Sequence, residues 1–454
     1  MPKIHTSDIA VLFQLLVDEN RNIIIYNLDN QVVEDSKHDY KIVNSVQNLD
    51  KETNLILLSK LDNTVSFAVK NCIDFANNKF TRDTIFEYQY FNNPNATMRW
   101  IYPKSLKYPS FLTLYNASGL KSKLIRLAFQ SAFRFGFKSK LSSGDFRLII
   151  NKENAVETLV KEARGEAYSI FTGTVGENRK AIIEVNQNRK TTNFIKVPLG
   201  EKSAKLVEKE KYNLAQLAKY NFQKAVLPKI TVSKNPKVAI ISNVQPNESF
   251  ATLNDLTNVH LNVLEEWYDK TIQTKKVSEL ADFQLIKNNL AELSTYPKPQ
   301  NDLEIETVNG LIDGLQLWLN QLDESQKIAV GMAHYDFTPW NMYWTKTRLH
   351  VYDWELSKPD LPLLYDAFHF ILQASILVKR STFAEIQGQI ETLKSSELTK
   401  KLNENPDFDF DTNYRFYVLS VASYYLNLYV KQSPLHEQAH WLVNIWKEAV
   451  ESSS

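Results

Sequence analysis

The residues His334-Tyr335-Asp336-Phe337-Thr338-Pro339-Trp340-Asn341, followed twelve positions after the asparagine by Asp353 in Val351-Tyr352-Asp353-Trp354-Glu355, are the chemically most informative part of the chain. Transfer of a phosphoryl group from ATP needs a carboxylate beside the attacking hydroxyl and two oxygen ligands that hold Mg²⁺ against the nucleotide phosphates. Asp336, Asn341 and Asp353 are groups of that kind. The short span from Asp336 to Asn341 suits a loop that turns back on itself, and Pro339 forbids a regular helix within it. The apolar alternation of Met342 and Trp344, then Leu349 and Val351, predicts a hairpin that delivers Asp353 beside Asn341.

At these residues the pattern His-x-Asp-x-x-x-x-Asn followed by Asp-Trp-Glu resembles the aminoglycoside phosphotransferase and choline kinase family, a branch of the protein-kinase-like fold. Protein kinases carry Asp-Phe-Gly at the second motif. Here it is Asp353-Trp354-Glu355 with no Ala-Pro-Glu after it, which argues for a small-molecule acceptor. The resemblance implies an α+β, protein-kinase-like two-lobe fold: a small β-rich N-lobe and a larger helical C-lobe, with ATP and Mg²⁺ as cofactors. It also implies a steadying role for an aspartate on the next helix, which Asp366 matches. The position between His334 and Asp336 is often glycine or another small residue in the family, and here it is Tyr335.

Such a catalytic hairpin demands an N-lobe upstream. Ile170 to Arg179, with Gly173 and Gly176, leads into the apolar run Ala181 to Val185 and reads as a hairpin; its turn either covers phosphates or is an ordinary turn. The strand Asn193 to Val197 sets Lys196 among apolar neighbours. On the helix Lys202 to Lys219, Glu210 precedes Leu214 and Leu217 at helical spacing. Lys196 and Glu210 resemble the family's ion pair, with Glu208 as a rival on the same helix. Lys237 to Val244 would be the last N-lobe strand, and helices are expected over 277–293, 303–322, 366–378, 383–402, 414–430 and 435–450.

The 454 residues allow two or three domains. We expect an N-terminal α/β or α+β domain of unknown function over 1–118, a basic helix or linker over 119–150, the N-lobe over 151–246 and the C-lobe over 247–454. The 53 basic and 52 acidic residues nearly cancel, so no whole-chain field points to nucleic acid. The single cysteine excludes an internal disulfide framework and suits a reducing cytoplasm. The sequence is silent on oligomeric state.

Residues 120–140 carry six basic and no acidic side chains among Phe and Leu. They read either as a helix lying peripherally on the inner, anionic membrane surface or as an interdomain helix whose phenylalanines are core. Two further motifs are decoys. His436-Glu437-Gln438-Ala439-His440 matches a zinc-protease pattern, but no third ligand in a Gly-x-x-His continuation comes after it, so it is expected to be a surface helix. Gly200-Glu201-Lys202-Ser203 is similar to the end of a phosphate loop whose first glycine is replaced by Ile195.

The expected mechanism has Asp336 as catalytic base, aligning a substrate hydroxyl for in-line attack. Asn341 and Asp353 hold the metal, Lys196 braced by Glu210 grips phosphates, Gly173 and Gly176 line the nucleotide, and His334 braces the loop. The acceptor is a small-molecule hydroxyl on a sugar, an amino alcohol, or a polysaccharide or lipid precursor. Trp340, Trp344, Trp354 and Tyr335 form either an aromatic cage for a cation or ordinary core, and Asp407, Asp409 and Asp411 line either an acceptor site or a solvated turn. The alternative is a catalytically silent nucleotide-binding scaffold.

Overall fold

The computed structural model describes residues 4–5, 15, 23–27, 32–33, 41–43, 54–58, 85–92, 98–113, 120–149, 154–174, 176–246, 249–296, 299–435 and 437–452. The chain forms two units, residues 1–211 with 229–243 and residues 212–228 with 244–454. The first is rich in strands and the second in helices, an α+β architecture.

The first unit runs through β1 (Ile4–His5), β2 (Ile23–Asn27), β3 (Val32–Val33), β4 (Lys41–Val43), β5 (Asn54–Leu58), β6 (Ile85–Asn92) and β7 (Met98–Pro103). Helices α1 (Leu120–Arg134) and α2 (Lys138–Leu141) precede β8 (Gly144–Ile149), α3 (Ala155–Glu162), β9 (Ala167–Phe171), β10 (Lys180–Gln187) and β11 (Lys190–Pro198). Helix α4 (Glu201–Leu217) starts here; the excursion after it carries β12 (Ala225–Val226) in the second unit, and β13 (Ile230–Thr231) and β14 (Ala239–Ser242) return to the first. One sheet has the order β13-β14-β11-β10-β9-β7-β6-β8-β5-β2-β4, antiparallel except where β2 pairs with β4 and β5.

This sheet crosses the boundary expected near residue 150. Trp100 and Ile101 of β7 pair with Phe171 and Ile170 of β9. Tyr88, Tyr90, Ile101 and Phe146 share one buried cluster with Ile170, Ile183, Val185 and Ile195. Each such fully buried side chain contributes on the order of 1.5–3 kcal/mol. Two buried hydroxyls inside it are matched: that of Tyr88 lies 2.8 Å from that of Tyr168 and accepts from Asn154 Nδ2 at 2.7 Å. Much of the N-terminal domain expected over 1–118 lies outside the described residues.

The hairpin β10–β11 turns at Asn188 and Arg189, both in the left-handed region at φ 52° and 61°. That is the two-residue turn whose twist matches antiparallel strands, and asparagine tolerates it. At the preceding β9–β10 turn Gly173 has φ 77°, and a Cβ there would meet the Lys180 carbonyl oxygen at 2.1 Å. Only glycine closes this turn.

The second unit contains α5 (Asn258–Thr271), β15 (Gln273–Lys276), α6 (Ala281–Ser294), α7 (Ile305–Gln321), β16 (Lys327–Ala333), β17 (Met342–Trp344), β18 (Leu349–Val351), β19 (Lys358–Pro362), α8 (Tyr365–Ala374), α9 (Phe383–Lys394), α10 (Glu397–Leu402), α11 (Phe410–Tyr429) and α12 (Glu437–Ser452). The stretch expected as one helix over 383–402 breaks at Ser395-Ser396, where the Ser396 hydroxyl accepts from Thr399 N–H at 3.2 Å and starts α10. Residues 277–279 form a 3₁₀ turn before α6 rather than its first turn. Two small sheets, β15-β16-β19 and β12-β18-β17, carry the loop that leaves β16. Among the described residues, no helix is long and apolar enough to cross a membrane.

Candidate active site

In the strand-rich unit Lys196 of β11 meets the buried carboxylate of α4. Lys196 Nζ lies 2.8 Å from Glu210 Oε1 and 2.7 Å from Oε2, with the side chains 10% and 1% exposed. Lys196 pairs across the sheet with Ile182 of β10 and Ala239 of β14, so its alkyl stem runs among apolar residues. Glu208, two residues from Glu210, points to solvent. Ser203 accounts for the resemblance of 200–203 to a phosphate loop: its hydroxyl accepts from Leu199 and Gly200 N–H, both at 3.0 Å, and caps α4. Gly176 has φ 154°, with open space where a Cβ would stand.

In the helical unit β16 ends at Ala333 and the chain turns sharply. Tyr335 takes φ 73°, a left-handed conformation that favours glycine. The turn is held by Asp366 on the first turn of α8. Its Oδ2 accepts from His334 N–H at 2.6 Å and its Oδ1 from Tyr335 N–H at 2.9 Å. Burial pushes this carboxyl above the usual carboxylate range, and His334 and the two N–H bonds pull against that. The Tyr335 ring stacks on Tyr365 at 5.2 Å, and Lys358 Nζ sits 3.9 Å above it while bonding Asp282 at 2.5 Å.

His334 is fully buried, edge-on to Trp354 at 4.6 Å. Its Nε2 lies 2.9 Å from the Tyr352 carbonyl; a carbonyl only accepts, so Nε2 carries the hydrogen. The next loop residue, Asp336, has a side chain about one-third exposed. Asn341 Nδ2 donates to Asp336 Oδ2 at 2.8 Å and to the Asp336 carbonyl at 3.0 Å. Pro339 starts the 3₁₀ turn that brings Asn341 round.

The expected hairpin β17–β18 forms, with Met342 opposite Val351 and Trp344 opposite Leu349. Just after it, Tyr352 N–H donates to the Asn341 carbonyl at 3.0 Å, so Asp353 leaves the hairpin next to that asparagine. Asp353 is itself left-handed at φ 67°. Asn213 near the end of α4 fixes the segment after Asp353, donating to the Trp354 and Ser357 carbonyls at 2.9 and 3.2 Å. Asp353 and Glu355 bring carboxylate oxygens within 4.8 Å of one another. Because Asn341 Nδ2 is committed to Asp336, the amide offers Oδ1 to a ligand. An amide oxygen with one or two carboxylates is the hard donor set that Mg²⁺ takes.

Three residues here went unmarked by the sequence reasoning. His369 Nε2 lies 3.6 Å from Asp336 Oδ1, and its Nδ1 is 3.4 Å from the Tyr417 hydroxyl. It comes one helical turn after Asp366, the spacing that puts both on one face of α8, and that signal was available. Lys358 and Asp282 carried no comparable signal.

Other expectations divide. Trp354 is fully buried against His334 and Trp267, so it is core and not part of an aromatic cage, whereas Trp340 is 38% exposed. Asp409 caps α11 by accepting from Thr412 N–H at 2.7 Å, Asp407 accepts from the Thr274 hydroxyl at 2.7 Å, and Asp411 pairs with Lys394 at 2.8 Å. Those three carboxylates have structural partners. His440 Nε2 lies 3.2 Å from Asp302, and His436 lies outside the described residues.

No family model and no curated protein matches the chain. Solved structures are similar to it. A complex of amicoumacin kinase hAmiN with AMP-PNP and Ca²⁺ matches at 11% identity and TM-score 0.39, over 63% of this chain and 88% of that one. A thermostable mutant of aminoglycoside phosphotransferase APH(4)-Ia matches at 14% and 0.41, over 66% and 99%. Glucosamine kinase with glucosamine, ADP and inorganic phosphate matches at 13% and 0.40, over 66% and 85%.

Proposed function

We propose that this chain is an ATP- and Mg²⁺-dependent phosphotransferase that phosphorylates a hydroxyl group of a small molecule. The observation that carries the reading is the joined pair Asp336–Asn341: an accessible carboxylate held by one oxygen at 2.8 Å, with Asp353 emerging beside the asparagine. The Asp336 side chain is one-third exposed, and its second oxygen lies 3.6 Å from His369 Nε2.

In this reading Asp336 Oδ1 accepts the acceptor's O–H and aligns the oxygen for attack on the γ-phosphorus of ATP. The new P–O bond forms as the bond to ADP breaks, and the proton passes to Asp336 and then to water. His334 acts through the backbone, fixing the carbonyl of Tyr352 ahead of Asp353. Lys196, held by Glu210, grips the nucleotide phosphates, with the Gly173–Gly176 turn as their cover. Mg²⁺ on Asn341 Oδ1 and the Asp353 carboxylate would neutralise charge that develops on the phosphoryl oxygens. Trp340 offers an exposed aromatic face for a sugar or an amino alcohol.

The test is ATP consumption with Mg²⁺ across sugars, amino alcohols, choline, aminoglycosides and lipid-precursor alcohols, for wild type and Asp336→Ala. Acceptor-dependent turnover that drops by roughly 10²–10⁴ in the variant, with ATP affinity kept, supports the role of the base. Turnover indifferent to Asp336→Ala would overturn it.

A further inference from the structure

The basic segment 120–141 divides into two faces that the sequence leaves unresolved. Phe133 is buried among Phe91, Tyr102, Leu106, Phe111 and Leu112, with Phe129 packed against the same cluster. These phenylalanines are core. Leu124, Leu127, Phe135, Phe137 and Leu141 are instead between 41% and 66% exposed. Leu124 and Leu127, three residues apart, share one side of α1.

The turn after α1 is built, not frayed. Gly136 takes φ 78°, Phe137 N–H reaches back to the Ala132 carbonyl at 2.8 Å, and Lys138 Nζ donates to the Lys104 and Leu106 carbonyls. This holds Phe135, Phe137 and Leu141 outward on a fixed scaffold. Lys123, Arg126, Arg134 and Lys140 are exposed among them, and residues 120–141 contain no acidic side chain. Arg134 and Lys140 lie 5.8 and 5.4 Å from the Phe135 and Phe137 ring centroids, so each cation rides on an exposed ring.

We infer that this face seats the protein on an anionic lipid surface, with the leucines and phenylalanines entering the acyl boundary and the cations meeting lipid phosphates. Exposed apolar side chains interspersed with cations, in a segment of residues 120–141 that carries no acidic side chain, complement such a surface. Helix α1 spans about 22 Å at about 1.5 Å per residue, a length suited to lying in the interface and too short to cross it.

Vesicle flotation of the full chain tests this, using phosphatidylcholine with and without phosphatidylserine. Flotation is expected only with the anionic vesicles. Leu127→Ser with Phe135→Ser should weaken it at least about tenfold, and Arg126→Gln with Arg134→Gln roughly 20-fold, with a weaker salt dependence. Thermal unfolding and turnover of a soluble acceptor should stay at wild-type values in both variants, which separates failure here from failure of the phosphotransfer reading. Absence of flotation, or equal flotation with neutral vesicles, overturns the proposal. So does a dimer in light scattering that Leu127→Ser dissociates while no lipid binding is seen, since the face would then join two copies of the chain.

Discussion

Removing one or both members of the Lys196–Glu210 pair separates architecture from function. The pair is nearly dry, with both carboxylate oxygens within 2.8 Å of the ammonium. Glu210→Leu takes its carboxylate partner from a lysine that is 10% exposed, and Lys196→Met takes its ammonium partner from a carboxylate that is 1% exposed. Breaking a buried pair from one side costs about 3–5 kcal/mol, while replacing both members by apolar groups of similar volume is close to neutral. Urea unfolding at neutral pH should therefore show each single variant about 3 kcal/mol or more below wild type. The double variant should lie within about 1 kcal/mol of wild type, a coupling too large for a surface pair. Titration with Mg²⁺-ATP supplies the functional half: the double variant should fold and yet bind nucleotide at least about 100-fold more weakly, as expected when a desolvated phosphate contact is lost. Single variants that each cost under about 1 kcal/mol would refute the claim of a dry pair. A stable double variant with wild-type nucleotide affinity would refute the assigned role.

Asp366→Ala leaves the His334 and Tyr335 N–H groups without their acceptor and should cost about 2–4 kcal/mol in urea unfolding; a loss under about 1 kcal/mol would mean that the turn holds itself. His260, buried beside Phe370 and Phe337, accepts from Thr257 N–H at 3.0 Å, and burial pushes its pKa down to about 4. A depressed base binds fewer protons folded than unfolded, so its stability is complete above about pH 6.5 and is lost as pH falls toward about 4. The loss should reach about 3 kcal/mol, and His260→Gln should flatten the slope in denaturant titrations across that window. His369→Ala removes the imidazole 3.6 Å from Asp336 Oδ1 and should lower kcat about tenfold with the KM for ATP unchanged; an unchanged kcat would make the contact idle.

The parts of the candidate site written in local pattern were legible. Period-two alternation marked β17 and β18, Pro339 marked the turn, and a lysine in an apolar strand with a glutamate on the apolar side of a helix marked the buried pair. The features that were missed depend on pairing between distant segments. Strand β16, which aims His334 and Asp336, reads Lys-Ile-Ala-Val-Gly-Met-Ala, an apolar run that periodicity cannot tell from a buried helix. Helix α5 buries Val263, Leu264 and Trp267, but His260 and Glu266, buried beside them, blur its apolar stripe. The continuity of the large sheet rests on β7 meeting β9, strands separated by three helices and β8, and nothing local in either encodes that partner.

The backbone of the helical unit explains why the loop needs so many supports. Tyr335, Asp353 and Leu364 are all non-glycine residues in the left-handed region, at φ 73°, 67° and 67°, each at a bend of the candidate site. Such a conformation costs on the order of 1–2 kcal/mol per residue and persists only where neighbours over-determine it. Each bend has its restraint. Asp366 takes the N–H of Tyr335, the Tyr268 hydroxyl accepts from the N–H of Leu364 at 2.9 Å, and Asn213 holds the carbonyl next after Asp353. Glycine at position 335 would relieve the strain but remove the ring that stacks on Tyr365 beneath Lys358. The tyrosine thus adds a packed cation–aromatic layer to a turn that glycine would leave bare, so that stability is given up at three backbone positions to aim Asp336, Asp353 and Asp366.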